Sequence, residues 1–151
     1  MAHWIVIADA SGARIFSLAG ATKPLELVRE IGNPQGRLRT HDLVTDQPGR
    51  VNKAGSPGTR SAAEPRTSAH EESAEEFARR LARFLGEEGE RQAYKTLSIA
   101  ASPHFLGLLR ESLSKEVDHR VRATVAGDLT HVPADELRNH IGPLLPAGLF
   151  L

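Results

Sequence analysis

The sequence contains no cysteine. Disulfides, iron–sulfur clusters, thiolate zinc sites and a cysteine nucleophile are thereby excluded. An excess of one charge is missing as well. The 19 Lys and Arg residues balance the 19 Asp and Glu residues, so there is no whole-protein electrostatic footprint for nucleic acid, although a local basic patch is compatible with neutrality. No apolar run approaches the roughly 18 residues of a membrane span. The opening "MAHWIVIADASGARIF" lacks the basic region and small-residue cleavage site of a signal peptide. Together with the missing cysteine, this leads to the expectation of a cytoplasmic protein. Familiar catalytic signatures are absent too. There is no G-x-S-x-G elbow, "GSPGTR" does not qualify as a phosphate-binding loop, and none of the seven histidines pairs at H-E-x-x-H or H-x-H spacing. No catalytic residue, metal ligand or cofactor is assigned.

What is present suits one α/β domain spanning residues 1–151, a length that buries most of its apolar surface without staples. "HWIVIAD" is a continuous apolar, β-branched run, as expected of a central strand buried on both faces. "ASG" reads as a tight turn and "ARIFSLA" as the second strand of a hairpin. "LELVREI" alternates at Leu25, Leu27, Arg29 and Ile31, with Val28 breaking the rhythm, and reads as a third, more exposed strand. At Ser68 the pattern changes. "SAHE" has the S-x-x-E form of a capping box, with Ser68 as N-cap and Glu71 at N3. Ala74, Phe77, Ala78, Leu81, Ala82 and Leu85 then follow at helical spacing, with Gly86 or Gly89 as the stop. "YKTLSIAAS" is a fourth strand. Ser102 and Pro103 start a second helix through "HFLGLLRESLSKEV", with Leu106, Leu109 and Leu113 inward. "HRVRATVAGD" alternates at Val121, Ala123 and Val125 as a last strand. "VPADELRNHI" gives a short third helix, and the apolar tail "GPLLPAGLFL" either tucks against the core or supports a homo-oligomer. The order is β-β-β-(long loop)-α-β-α-β-α, which implies a mixed sheet with helices packed on it.

Between the third strand and the first helix, from about 32 to 67, no period holds. Loops longer than about 12–15 residues are uncommon in compact domains and are usually functional or disordered. From Gly49 to His70, Arg50, Lys53, Arg60 and Arg66 face Glu64 alone. Basic residues set among Gly, Ser and Pro can follow a phosphate backbone without reading sequence. No aromatic falls in this stretch, so base stacking is not on offer. A metal-dependent nuclease is the competing chemistry. It needs several carboxylates around divalent ions. Asp9 ends the first strand and Glu75 or Glu76 could face it from the helix, but the fourth strand ends in "SIAASP" without an acid. Asp128 lies beyond the fifth strand, further along than such a site needs.

The segments "HWIVIADASGARIFSLAG", "HDLVTDQPGRVNKAGSPGTRSA", "EEFARRLARFL" and "LSIAASPHFLGLLRESL" together resemble the bacterial host attachment protein family, from Trp4 to about Ile141. That family in turn resembles the middle domain of archaeal and eukaryotic peptide-chain release factors. The resemblance implies a ribonuclease H-like fold and a long loop before the first helix. In release factors that loop carries Gly-Gly-Gln and helps water attack the peptidyl-tRNA ester. Here the loop reads "AGSPGTR", with no Gly-Gly-Gln, so a hydrolytic role is not expected. What the resemblance leaves is a ribosome- or tRNA-binding protein with Arg50, Lys53, Arg60 and Arg66 on phosphates and with Asp9 and Asp46 positioning the loop base. The alternatives are a metal-dependent nuclease using Asp9, a residual tRNA-ester hydrolase, and a protein-interaction module acting indirectly in host attachment.

Overall fold

The computed structural model describes residues 2–20, 23–34 and 58–145, with the backbone alone for 58–70 and for Pro143. Five strands form one sheet: β1 (His3–Asp9), β2 (Gly12–Leu18), β3 (Glu26–Gly32), β4 (Thr96–Ala101) and β5 (Val121–Ala126). They lie in the order β3-β2-β1-β4-β5. The first three pair antiparallel, while β4 runs parallel to β1 and β5 parallel to β4. The described helices are α1 (Gly58–Glu90), α2 (Pro103–Ser112), α3 (Lys115–Arg120) and α4 (Ala134–His140), followed by a 3-10 turn at Gly142–Leu144. The chain is thus the mixed α/β fold expected from its element order.

β1 sits in the middle of the sheet, and His3 to Ala8 are all buried. Alternate residues feed two cores. Trp4, Val6 and Ala8 join Phe77, Leu81 and Leu85 of α1, Phe105 and Leu109 of α2 and Val117 of α3. Ile5 and Ile7 join Phe16, Leu18 and Ala100 against Leu137, Ile141 and Leu144. Three helices therefore cover one face, and α4 with the 3-10 turn covers the other. Two-sided coverage is the physical reason for the unbroken apolar run in β1. The tail as far as Leu144 tucks against the sheet, and residues 146–151 lie outside the described residues.

At the other extreme, β3 is an edge strand with its residues almost all exposed. Arg29 pairs with Ile15 and Leu27 with Phe16, which leaves Val28 as an extra residue. The break in the sequence rhythm at Val28 is therefore a β-bulge, a common way to spoil an edge for further pairing.

Three expectations need correction. The first helix begins at Gly58, not at Ser68, and Ser68 and Pro65 lie within it. A helix anchored by a packed second half extends without forming a new nucleus, and "TRSAAE" consists largely of tolerant helix formers. The S-x-x-E pattern is therefore not a start signal here, and residues 58–67 are helix rather than loop. The helix also runs through Gly86 and Gly89 to Glu90. Second, the expected single helix after Pro103 is two. Leu113 is extended, and the Ser114 hydroxyl accepts from the Val117 N–H at 3.2 Å, capping α3. A serine at that point offers the backbone a cap, which favours a restart over continuation. Phe105 and Leu109 are the buried residues of α2, with Leu106 and Leu113 only partly covered. Third, Val121 and Val125 do not share a face. The ladder shifts between Leu97 and Ser98, so Val121 packs with the three-helix side and Val125 with the other.

Candidate functional site

β1, β4 and β5 run parallel, so their carboxyl ends share one rim of the sheet. Open α/β sheets bind ligands outside that rim. Asp9 ends β1 there. Its Oδ1 accepts from the Ser11 N–H at 2.8 Å, the Ser11 hydroxyl at 2.7 Å and the Gly12 N–H at 3.1 Å. These bonds close the β1–β2 turn, where Asp9 pairs directly with Gly12. Its Oδ2 is left to face Thr130, whose hydroxyl lies 3.0 Å away.

Thr130 arrives from the loop after β5, held there by Arg14 of β2. The Arg14 Nη2 reaches the carbonyls of Leu129 at 2.9 Å, Thr130 at 2.9 Å and Val132 at 2.8 Å. Its guanidinium lies over the Phe16 ring. A guanidinium whose Nη2 donates to three carbonyls of one loop sets that loop's position across the sheet rim. The loop brings Asp128 and His131 with it. Asp128 Oδ1 accepts from the Thr130 N–H at 3.0 Å and also contacts the Thr130 hydroxyl. The His131 Nε2 is 4.0 Å from Asp128 Oδ2. Burial alone would raise the Asp128 carboxyl, but the two Thr130 hydrogen bonds and the His131 imidazole together hold it below its ordinary value. Ligand atoms of Asp9, Asp128 and His131 all lie within 4.8 Å of one another. Beside them is a cleft of about 220 Å³ lined by Asp9, Ser11, Arg14, Glu30, Thr130 and His131.

Of the residues singled out in the sequence, Asp9 is in this cleft. Arg60 and Arg66 lie on the N-terminal part of α1, with their backbone alone described. Arg50, Lys53 and Asp46 lie outside the described residues. Asp128 proves to be close to Asp9, contrary to its distant place along the chain. Glu75 and Glu76 are not part of the group. The missed signal is "DLTH", which places an acid and a histidine three residues apart in a turn. Nothing local in sequence marks Arg14 as the clamp. Asn33 was also missed. It is buried, its N–H donates to the Ser11 carbonyl at 2.9 Å, its Nδ2 donates to the Ala10 carbonyl at 2.8 Å, and its Oδ1 accepts from Arg80 of α1 at 3.0 Å. It ties the exit of β3 to the β1–β2 turn and to α1.

A larger groove of about 680 Å³ separates α1 from α2 and α3. There Arg79, Arg83 and Arg120 share the walls with Glu87, Glu90, Glu111 and Glu116. Charges of both signs line it, and among the described residues no reactive groups converge. Among the described residues no helix is long and apolar enough to cross a membrane.

The family described as "Protein required for attachment to host cells" matches residues 4–141. The chain belongs to that family. A search of curated proteins finds no match to it.

Proposed function

We propose that this member of the host attachment family is a cytoplasmic ribosome- or tRNA-binding protein on a ribonuclease H-like core related to the release-factor middle domain. The reading is non-hydrolytic, because the chain has no Gly-Gly-Gln. The strand order β3-β2-β1-β4-β5, antiparallel in its first three strands and parallel in its last two, supports the ribonuclease H-like part. What supports the RNA-binding part is where the basic stretch falls in the chain. It enters from β3, whose exit Asn33 pins, and leads into α1. The first buried residue among the described side chains of α1 is Ser73, and Arg60 lies about 20 Å further along the helix axis at about 1.5 Å per residue. Arg50, Lys53, Arg60 and Arg66 thus belong to one basic segment ahead of the packed half of the helix. Asp46 and Asp9 position its base in this reading. A nuclease would need further acids, and β4 ends in Ala101 with none.

Co-sedimentation with ribosomes across a salt series tests the proposal. Replacing Arg50 and Arg60 by Ala should weaken binding and reduce the log–log salt slope by about 1 for each phosphate that is no longer neutralised. Sedimentation identical to wild type at every salt concentration would remove the reading.

A further inference from the structure

We propose that Asp9, Asp128 and His131 form a binding site for one divalent first-row metal cation, Mn²⁺ or Zn²⁺. The site shares Asp9 with the RNA-binding reading but does not rest on RNA being bound.

The donor set is two carboxylate oxygens and one imidazole nitrogen, all within 4.8 Å of one another. A first-row metal at about 2.0–2.2 Å from each ligand needs donor atoms roughly 3–4.5 Å apart. The side chains of Asp128 and His131 are 40% and 87% exposed, so small rotations can close the remaining gap. Mixed imidazole and carboxylate ligation suits Mn²⁺ or Zn²⁺ better than Mg²⁺ or Ca²⁺, which prefer oxygen alone.

The balance of charge points the same way. The Thr130 hydroxyl stands between Asp9 Oδ2 and Asp128 Oδ1. It has one proton and cannot donate to both carboxylates. Arg14 is the guanidinium of this cleft, and its Nη2 is committed to three backbone carbonyls. Among the described residues the convergence of two carboxylates is therefore under-neutralised by the side chains around it, and a cation supplies the balance. Asp9 and His131 line the open cleft together with Arg14, where a water or anion has room to complete the metal's coordination. Three protein ligands beside an open cleft leave room for such a further ligand.

The placement is rigid where a metal site needs rigidity. Asp9 is fixed by three donors to its Oδ1, which leaves Oδ2 pointing outward to the loop. The loop is fixed by Arg14. Thr130 acts as a positioning residue between the two acids rather than as a ligand.

The test is titration of the chelator-treated full chain with Mn²⁺, followed by electron paramagnetic resonance, and with Zn²⁺ and Mg²⁺, followed by calorimetry. The expected result is one Mn²⁺ or Zn²⁺ site per chain with weaker Mg²⁺ binding. Asp128→Asn and His131→Ala, both at exposed positions, should each weaken it tenfold or more while circular dichroism stays unchanged. Thr130→Val should weaken it by about tenfold, as removal of a group that orients a metal ligand does. The proposal is overturned by no binding at millimolar Mn²⁺ or Zn²⁺. It is equally overturned by binding that neither Asp128→Asn nor His131→Ala alters, or by a preference for Mg²⁺.

Discussion

His3 is sealed beneath the sheet at 1% exposure, with both ring nitrogens engaged. Nδ1 lies 2.8 Å from the Thr96 hydroxyl and Nε2 2.9 Å from the Ser98 hydroxyl. Ser98 in turn donates to the Leu144 carbonyl at 2.5 Å. A carbonyl can only accept, so the single Ser98 proton is committed there. Ser98 must then accept from Nε2–H. In the neutral imidazole, which burial favours, Nδ1 accepts the Thr96 hydroxyl proton. Burial first, then the nearby charge of Arg122, lower its pKa from 6.5 to about 4, against a smaller opposing effect from the Leu144 backbone. The unfolded chain thus binds more protons than the native one between those two values. The contribution of neutral His3 is fully present above pH 6.5, declines as pH falls by about 1.4 kcal/mol per unit, and is about 3 kcal/mol smaller near pH 4. Urea unfolding of the wild type and His3→Asn should show their stability difference shrinking by that order between pH 7 and pH 4. A difference that stays constant with pH would show that His3 does not titrate in this way. The sequence announced none of this. His3 looked like a polar boundary to a strand, and its partners lie on β4, more than ninety residues away in the chain.

At the scale of elements, legibility followed periodicity. The packed half of α1 was readable because Phe77, Leu81 and Leu85 repeat at helical spacing and all three are fully buried. Its ends were not readable, because caps depend on geometry that several sequences satisfy. The C-terminal end shows this. Gln92 adopts φ 61°, the Ala93 N–H donates to the Glu88 carbonyl at 3.0 Å, and the Gln92 N–H donates to the Gly89 carbonyl at 3.0 Å. This is a Schellman motif with glutamine in the left-handed position usually held by glycine. The glycine that looked like the stop, Gly89, has another task. A Cβ there would lie 3.0 Å from the Tyr94 Oη, which donates to the Leu85 carbonyl at 2.6 Å. Glycine thus serves close packing against Tyr94, and the turn is left to Gln92. Gln92→Gly should relieve the left-handed strain and stabilise the fold by about 0.5–1 kcal/mol despite the added freedom of the unfolded chain. A denaturation midpoint equal to or below that of the wild type would show that the Gln92 side chain contributes more than its backbone costs.

Across the whole molecule, burial is graded from the centre of the sheet outward, and stability should be graded with it. β1 is covered on both faces and hydrogen-bonded on both sides, to β2 and β4. β4 is buried throughout, between β1 and β5. Among the described residues β3 pairs on one side only, and it carries the bulge at Val28, with Leu27 54% exposed. The mixed sheet was legible as a class because the first three strands adjoin in sequence and the later ones alternate with helices. The candidate site was not, because it joins the end of β1 to a loop beyond β5 through Arg14, which reaches residues more than a hundred positions away in the chain. Amide hydrogen exchange reads this gradient directly. Amides that open only on global unfolding reflect the full stability, while edge elements open locally at lower free energy. Ile5, Val6, Ile7 and Ile99 should therefore exchange last, and Val28 and Arg29 of β3 among the first of the strand amides. Loosening the clamp with Arg14→Lys should speed exchange at Thr130 and His131 while leaving Val6 and Ile99 within the shift set by global stability. Arg14 spans the sheet and the loop, so exchange that accelerated equally at all these positions would mean the loop and the sheet open as one unit. In that case the rim at Asp9 would be part of the central core and not a locally held site.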